Sequence, residues 1–105
     1  MKEILYMIKD ISNLDEITSF ASQKPVVVVF HAPWCGTCSM YHFTLTKFDM
    51  QDPSVVILKV NLADHQEIGN HFKVLSTPSV MIYHSEFNYT LLPGPQPIGI
   101  IKRYL

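Results

Sequence analysis

The sequence carries little charge and no excess of either sign. Its 105 residues include 8 Lys and Arg against 9 Asp and Glu, so the net charge is -1 and charged residues make up 16% of the chain. A nucleic-acid surface needs clustered basic residues, and none are clustered here. No apolar run reaches the length of a transmembrane helix. The segment Met1 to Asp10 also lacks the apolar region and cleavage site of a secretory signal. We therefore expect a cytoplasmic protein with no nucleic-acid or membrane partner.

Cysteine is equally scarce. Only Cys35 and Cys38 are present, so the chain cannot carry a framework of several disulfides. It does not need one, because 48% of the residues are apolar and 105 residues suffice to build a core. We predict a single domain over residues 1–105 that acts as a monomer.

Both cysteines lie in one short segment, Trp34-Cys35-Gly36-Thr37-Cys38, which closely follows the apolar run Val26 to Phe30. Two cysteines at this spacing can close a small disulfide ring or bind a metal ion. A buried strand that leads into the pair favours the disulfide, since CxxC near a β-α-β pattern is typical of a redox motif. In a reducing compartment such a pair is more often catalytic than structural.

The metal alternative would use His42, one helical turn beyond Cys38, as a third ligand. A structural zinc site takes four ligands, and the sequence has neither a second CxxC nor an HxxxH. It also lacks the fingerprint of a nicotinamide or flavin site. The prediction is therefore a protein with no metal and no cofactor, in which the thiol pair is the reactive group.

The pattern of apolar residues predicts the element order β-α-β-α-β-α-β-β-α. Strands are expected at 4–8, 26–30, 55–60, 79–83 and 89–92. Helices are expected to start near Asn13, Cys35, Asp64 and Pro97, the first capped by Asn13 with Glu16 and the third by Asp64 with Glu67. The β-α-β unit should be parallel and the last two strands a hairpin. The fold class is therefore α/β, with a mixed central sheet flanked by helices on both faces.

Three segments resemble the thioredoxin family: Phe30-His31-Ala32-Pro33-Trp34-Cys35-Gly36-Thr37-Cys38, then Ser76-Thr77-Pro78, then Gly94. The resemblance covers nearly the whole chain and implies the thioredoxin fold. In the family the proline is cis and lies against the disulfide, so Pro78 is expected to be cis. The family also places a glycine loop beside the active site, which Gly94 matches.

The order of elements places the sulfur of Cys35 at a helix N-terminus, where the helix dipole favours the thiolate. Cys35 is therefore the expected nucleophile and the more exposed cysteine, and Cys38 is expected to resolve the mixed disulfide. The family mechanism is the same. It implies disulfide-containing protein substrates and a protein reductant similar to thioredoxin reductase. In the family the positions of Trp34, Thr77, Pro78 and Gly94 flank the nucleophile and contact substrate.

The sequence departs from the family at several positions near the cysteines. Thr37 replaces a proline, and its N–H and hydroxyl should stabilise the reduced form, which predicts a reduction potential above that of a typical thioredoxin. Val29 replaces a buried aspartate that is thought to help deprotonate the resolving cysteine, so resolution by Cys38 should be slower. Phe43 replaces a helix proline, which should leave that helix straighter.

Lys59 and His31 complete the expected site. Lys59 is retained although its usual acidic partner is gone; it either leans toward the thiolate and supports the ionisation of Cys35 or reaches solvent. His31 stands at the position of a tryptophan and either titrates near neutral pH beside the thiolate or packs as an ordinary half-exposed side chain. Gly36 and Thr37 support the turn between the two cysteines.

The sequence is also compatible with two other functions. A thioredoxin-like oxidase or isomerase would need an oxidising compartment, which the lack of a signal peptide argues against. A thioredoxin-fold binding module would dock one partner and turn over little, which the missing aspartate favours. Trapping of covalent partners by Cys38→Ser distinguishes a module from a reductase.

Overall fold

The computed structural model describes residues 8–105, and its elements follow the predicted order. The strands are β1 (Ile8–Asp10), β2 (Val26–His31), β3 (Ile57–Asn61), β4 (Ser79–Ser85) and β5 (Asn88–Pro93). The helices are α1 (Leu14–Phe20), α2 (Gly36–Gln51), α3 (Gln66–His71) and α4 (Ile98–Tyr104). The first predicted strand, 4–8, lies outside the described residues except for Ile8. Within residues 8–105, no helix is both long and apolar enough to cross a bilayer.

The strands form one mixed sheet in the order β1-β3-β2-β4-β5. β1, β3 and β2 run parallel, with Val28 of β2 opposite Leu58 of β3. β4 runs antiparallel to both β2 and β5, so the predicted parallel unit and the predicted hairpin are both confirmed. β2 is therefore the central strand, which explains why its run of apolar residues is unbroken.

The side chains of β2 alternate between two apolar layers. Val26, Val28 and Phe30 pack in one layer together with Ile17 of α1, Ile68 of α3 and Phe72, which directly follows α3. Val27 and Val29 pack in the other layer against α2 and α4, including Leu45, Phe48 and Ile101. The expectation of helices on both faces is thus confirmed.

The helix caps agree with the sequence at one position and differ at another. The side chain of Asn13 caps α1 and accepts a hydrogen bond from the N–H of Glu16 at 3.1 Å. The predicted cap at Asp64 is wrong, because α3 starts one residue later and its N-cap, His65, makes no side-chain cap bond. The backbone N–H groups of Asp64 and His65 both donate to the carbonyl of Asn61, so a backbone turn sets where this helix begins.

Three chain segments meet at one end of the sheet. The carboxyl end of β2 leads to the cysteines, and its residue Phe30 lies opposite Ser79 at the start of β4. Ser79 in turn lies opposite Pro93 at the end of β5. The segments 31–38, 76–78 and 93–96 are therefore neighbours although they are far apart in sequence.

The second apolar layer predicts how α2 contributes to stability. Leu45 is 1% exposed whereas Met50, on the same helix, is 71% exposed. We expect Leu45→Ala to lower the free energy of unfolding by about 2–5 kcal/mol, since it leaves a cavity, and Met50→Ala to change it by less than about 0.5 kcal/mol. Urea denaturation measures both, and equal losses in the two variants would contradict the packing described.

Candidate active site

The two cysteines lie at the start of α2 and are joined as a disulfide. Cys35 is the N-cap, with its backbone in the extended region, and its N–H donates to the carbonyl of Ala32. The N–H of Cys38 donates to Sγ of Cys35 at 3.2 Å. One of the free N–H groups at the helix N-terminus is thus directed at this sulfur, which is the arrangement that stabilises a thiolate.

The turn between the cysteines is open to solvent. Gly36 and Thr37 are both exposed, and no atom lies within 4 Å of the position that a side chain on Gly36 would occupy. Cys35 and Cys38 are both half-buried, so the expected difference in their exposure stays a prediction. The effect of Thr37 on the reduction potential also stays a prediction.

Pro78 and Gly94 meet beside this end of the sheet. The Thr77–Pro78 peptide bond is cis, as the resemblance implied, and Pro78 is buried. The N–H of Gly94 donates to the carbonyl of Pro78 at 2.8 Å. Gly94 has a φ of 84°, a conformation that favours glycine over any residue with a side chain. The structure therefore joins two predicted site residues by a direct backbone contact.

Two large apolar side chains are exposed in these segments. Trp34 is 74% exposed, which excludes it from the core, and Leu75 is 97% exposed just before Ser76-Thr77-Pro78. Leu75 was not among the site residues predicted from the sequence. The available signal was its position directly before Ser76-Thr77-Pro78.

Lys59 lies on the same side of the sheet as α2. It is opposite Val29 in the register of β2 and β3, and Val29 is buried. Nζ of Lys59 lies 3.4 Å from Nδ1 of His42, which projects from α2. The two predicted orientations were toward the thiolate and toward solvent; the contact with His42 is exposed, which agrees with an ammonium that reaches solvent.

Behind the cysteines lies an open cavity of about 380 Å³. Its described lining combines one sulfur-bearing residue with titratable and small side chains: Cys38, His31, His42, Lys59, Ser39, Ala32 and Pro33. No carboxylate is among these lining residues. Cys38 and His42 share this cavity because they are four residues apart on one helix.

His31, the last residue of β2, is half-buried. Burial lowers the pKa of His31, and the positive charge of Lys59 lowers it further, while Asp10 opposes the shift. Burial and Lys59 both favour the neutral form of the imidazole. Nε2 of His31 is buried and has no hydrogen-bond partner among the described residues.

The histidines do not join the cysteines as metal ligands in the described part of the chain. Residues 8–105 contain no group of three or more His, Cys, Asp and Glu side chains that could hold a metal ion. His42, the ligand considered from the sequence, contacts Lys59.

Comparison with known proteins agrees with this geometry. The sequence profile of the Thioredoxin family matches residues 8–105. The thioredoxin of Mycoplasma genitalium is 30% identical over 78 residues, which cover 74% of this chain and 74% of that protein. The mitochondrial thioredoxin of Mus musculus is 39% identical over 61 residues, which cover 57% of this chain and 37% of that protein.

The fold is also that of solved thioredoxins. The crystal structure of oxidised mitochondrial thioredoxin 3 from Saccharomyces cerevisiae superposes with a TM-score of 0.80 at 26% identity and covers 92% of both chains. The mixed sheet with helices on both faces is therefore the thioredoxin fold, as the resemblance implied.

Tyr41 fastens α2 to the loop that follows Gly94. Its hydroxyl donates to the carbonyl of Gln96 at 2.6 Å. Burial raises the pKa of Tyr41 from 10.0 to about 12. Between these values the folded protein keeps a proton that the unfolded chain loses, so this residue's contribution to stability decreases as the pH rises through that range.

We expect Tyr41→Phe to be less stable at neutral pH by about 1 kcal/mol, through the lost hydrogen bond. We also expect the free energy of unfolding of Tyr41→Phe to decrease less than that of the wild type between pH 10.0 and about 12, the ordinary pKa of tyrosine and the raised pKa of Tyr41. Urea denaturation at several pH values measures both effects. Tyr104→Phe, at a residue 39% exposed, is the control. Equal decreases in the stability of the wild type and of Tyr41→Phe over this pH range would contradict the raised pKa of Tyr41.

Proposed function

The chain belongs to the thioredoxin family and carries its cysteine pair, and from this premise we propose that it is a thiol–disulfide oxidoreductase acting as a reductase of protein disulfides. The observation that carries the proposal is the hydrogen bond from the N–H of Cys38 to Sγ of Cys35 at the start of α2. This hydrogen bond supports Cys35 as the nucleophile, because an N–H directed at the sulfur would stabilise its thiolate in the reduced protein.

The reaction starts with the reduced pair. The thiolate of Cys35 attacks one sulfur of a substrate disulfide, forms a mixed disulfide and releases the other substrate sulfur as a thiolate. Cys38, one helical turn further, then attacks Sγ of Cys35. The second substrate sulfur leaves, and the Cys35–Cys38 disulfide of the structure is the product.

Substrate is expected to bind across the surface around the cysteines. The backbone next to the cis Thr77–Pro78 bond is available to an extended substrate segment, and Gly94 is held beside it. Trp34, next to Cys35, and Leu75, two residues before Thr77, supply exposed apolar surface. Their exposure supports binding to unfolded or extended segments of disulfide-containing proteins.

The oxidised pair has to be reduced again by a second protein, for which a reductase of the thioredoxin reductase type is the proposed donor. We place the protein in the cytoplasm, as a monomer without metal or cofactor. The mouse and yeast relatives named above are mitochondrial proteins, so fractionation of cells is the test of this part of the proposal.

Val29 favours a second candidate function, a binding module with little turnover. The buried valine cannot take up a proton from Cys38 as a carboxylate could. A module would retain its partner without a covalent bond, and loss of either sulfur would leave that binding intact. An oxidase differs from the proposed reductase in the direction of electron flow, and an isomerase rearranges disulfides with no net transfer of electrons.

Single serine variants test the reductase. We expect Cys35→Ser and Cys38→Ser each to lower the rate of reduction of a disulfide-containing test protein at least about a hundredfold, because each removes one step of the exchange. Only Cys38→Ser should accumulate a mixed disulfide with the test protein, seen on non-reducing gels. Accumulation by Cys35→Ser instead would reverse the two roles, and unchanged rates in both variants would contradict the proposed function.

A further inference from the structure

Resolution of the mixed disulfide needs a group that takes the proton of Cys38. A thiol is a poor nucleophile and a thiolate a good one, so Cys38 has to be deprotonated before it attacks. The N–H that stabilises a thiolate at this helix end is directed at Cys35 and not at Cys38. Val29 is buried and apolar. The side chains that could accept this proton are therefore those that share a cavity with Cys38.

Three titratable side chains line the cavity of Cys38: His31, His42 and Lys59. An ammonium group has donors only, so the 3.4 Å contact between Nζ of charged Lys59 and Nδ1 of His42 occupies the lone pair of that nitrogen. The other nitrogen of a neutral His42 then carries its hydrogen. In this arrangement neither Lys59 nor His42 offers a free acceptor.

His31 is the remaining group. It follows Val29 by two residues on the same strand, so both side chains point to the same face of the sheet. Its Nε2 is buried without a hydrogen-bond partner among the described residues. A neutral imidazole has one nitrogen with a free lone pair, whichever of the two nitrogens carries the hydrogen.

We propose that His31 accepts the proton of Cys38 across this cavity when Cys38 attacks the mixed disulfide. The inference rests on the proposed function, since it concerns the second step of the exchange. A histidine at the end of β2 would thereby supply the base that the buried valine cannot.

The proton of the Cys38 thiol moves to the imidazole of His31, and the electron pair left on Sγ of Cys38 forms the bond to Sγ of Cys35. The bond between Cys35 and the substrate sulfur breaks, and its electron pair leaves with the substrate as a thiolate. The imidazolium then returns its proton to that thiolate or to solvent, which restores neutral His31.

The charges around His31 influence the pH range in which it can accept the proton of Cys38. Titratable side chains face it or share its two cavities from several elements: Asp10 of β1, Lys59 of β3, His42 of α2, and Asp64 and His65 before α3. Burial lowers the pKa of His31, the charge of Lys59 lowers it further, and Asp10 opposes the shift; His42 lowers it only when His42 is itself protonated. These effects favour the neutral imidazole, which is the form that can accept a proton.

The test follows the two steps separately in one experiment. Reduced protein, in slight excess, is mixed rapidly with dithiobis(nitrobenzoate), and the coloured thiolate is recorded. Attack by Cys35 releases the first equivalent and resolution by Cys38 the second. We expect His31→Gln to slow the second phase at least about tenfold near neutral pH, because glutamine cannot take up a proton. The difference should shrink above about pH 9, where free thiols ionise without a base.

His84→Gln is the matched control. His84 is also half-buried but lies near the opposite end of β4, where its Nε2 contacts the carbonyl of Tyr104 at 3.0 Å. The His84→Gln substitution should leave the rate of the second phase unchanged. A first phase in His31→Gln followed by a second phase with the wild-type rate and pH profile would overturn the proposal for His31. Absence of the first phase in the wild-type protein would instead overturn the proposed function.

A second variant separates proton transfer from packing. His31→Ala leaves space in the cavity, and added imidazole should restore the rate of its second phase in proportion to the imidazole concentration. A merely structural role for His31 predicts no such rescue. Circular dichroism establishes that both variants are folded, and a slow second phase in His31→Ala that imidazole does not accelerate would contradict the role as proton acceptor.

Discussion

The N–H of Cys38 points at Sγ of Cys35 from the first turn of α2, and the surrounding structure serves to hold it there. β2 is buried on both faces and, in its observed register with β3, leads the chain to this point. Leu45 and Phe48 then fix the rotation of α2 about its axis by packing into the second apolar layer. A helix that slipped or turned would direct its free N–H groups elsewhere, and the charge on the sulfur would lose its stabilisation.

The same packing explains why the polar groups of the site are so few. Val29 belongs to the apolar layer under α2, so the interior beneath the cysteines holds no carboxylate at this strand position. Polar side chains gather instead where β2 and β3 end, around the cavity that His31, Lys59 and His42 share with Cys38. The proposed proton transfer therefore takes place at the edge of the core and not inside it. Pro78 and Gly94 lie on the other side of the end of β2, next to β4 and β5.

Local pattern and family resemblance predicted most of the fold. The unbroken run of β2 and the CxxC segment gave the central strand and the start of α2, and Asn13 is a local cap that a short sequence window reveals. Asp64 failed as a cap because backbone bonds to Asn61, which no side-chain pattern records, set the turn before α3. The contact between Lys59 and His42 joins residues 17 positions apart on a strand and a helix, so only the packed structure reveals it. Leu75 was missed because exposure depends on tertiary packing.

The reduction potential of the Cys35–Cys38 pair tests the central claim most directly. Trp34 is the only tryptophan of the chain and adjoins Cys35, so its fluorescence in dithiol redox buffers reports the state of the pair. A reductase predicts a value near or below about −230 mV, comparable to that of cytosolic reductants. A value near about −150 mV would contradict the account, because the protein would then oxidise thiols in preference to reducing disulfides.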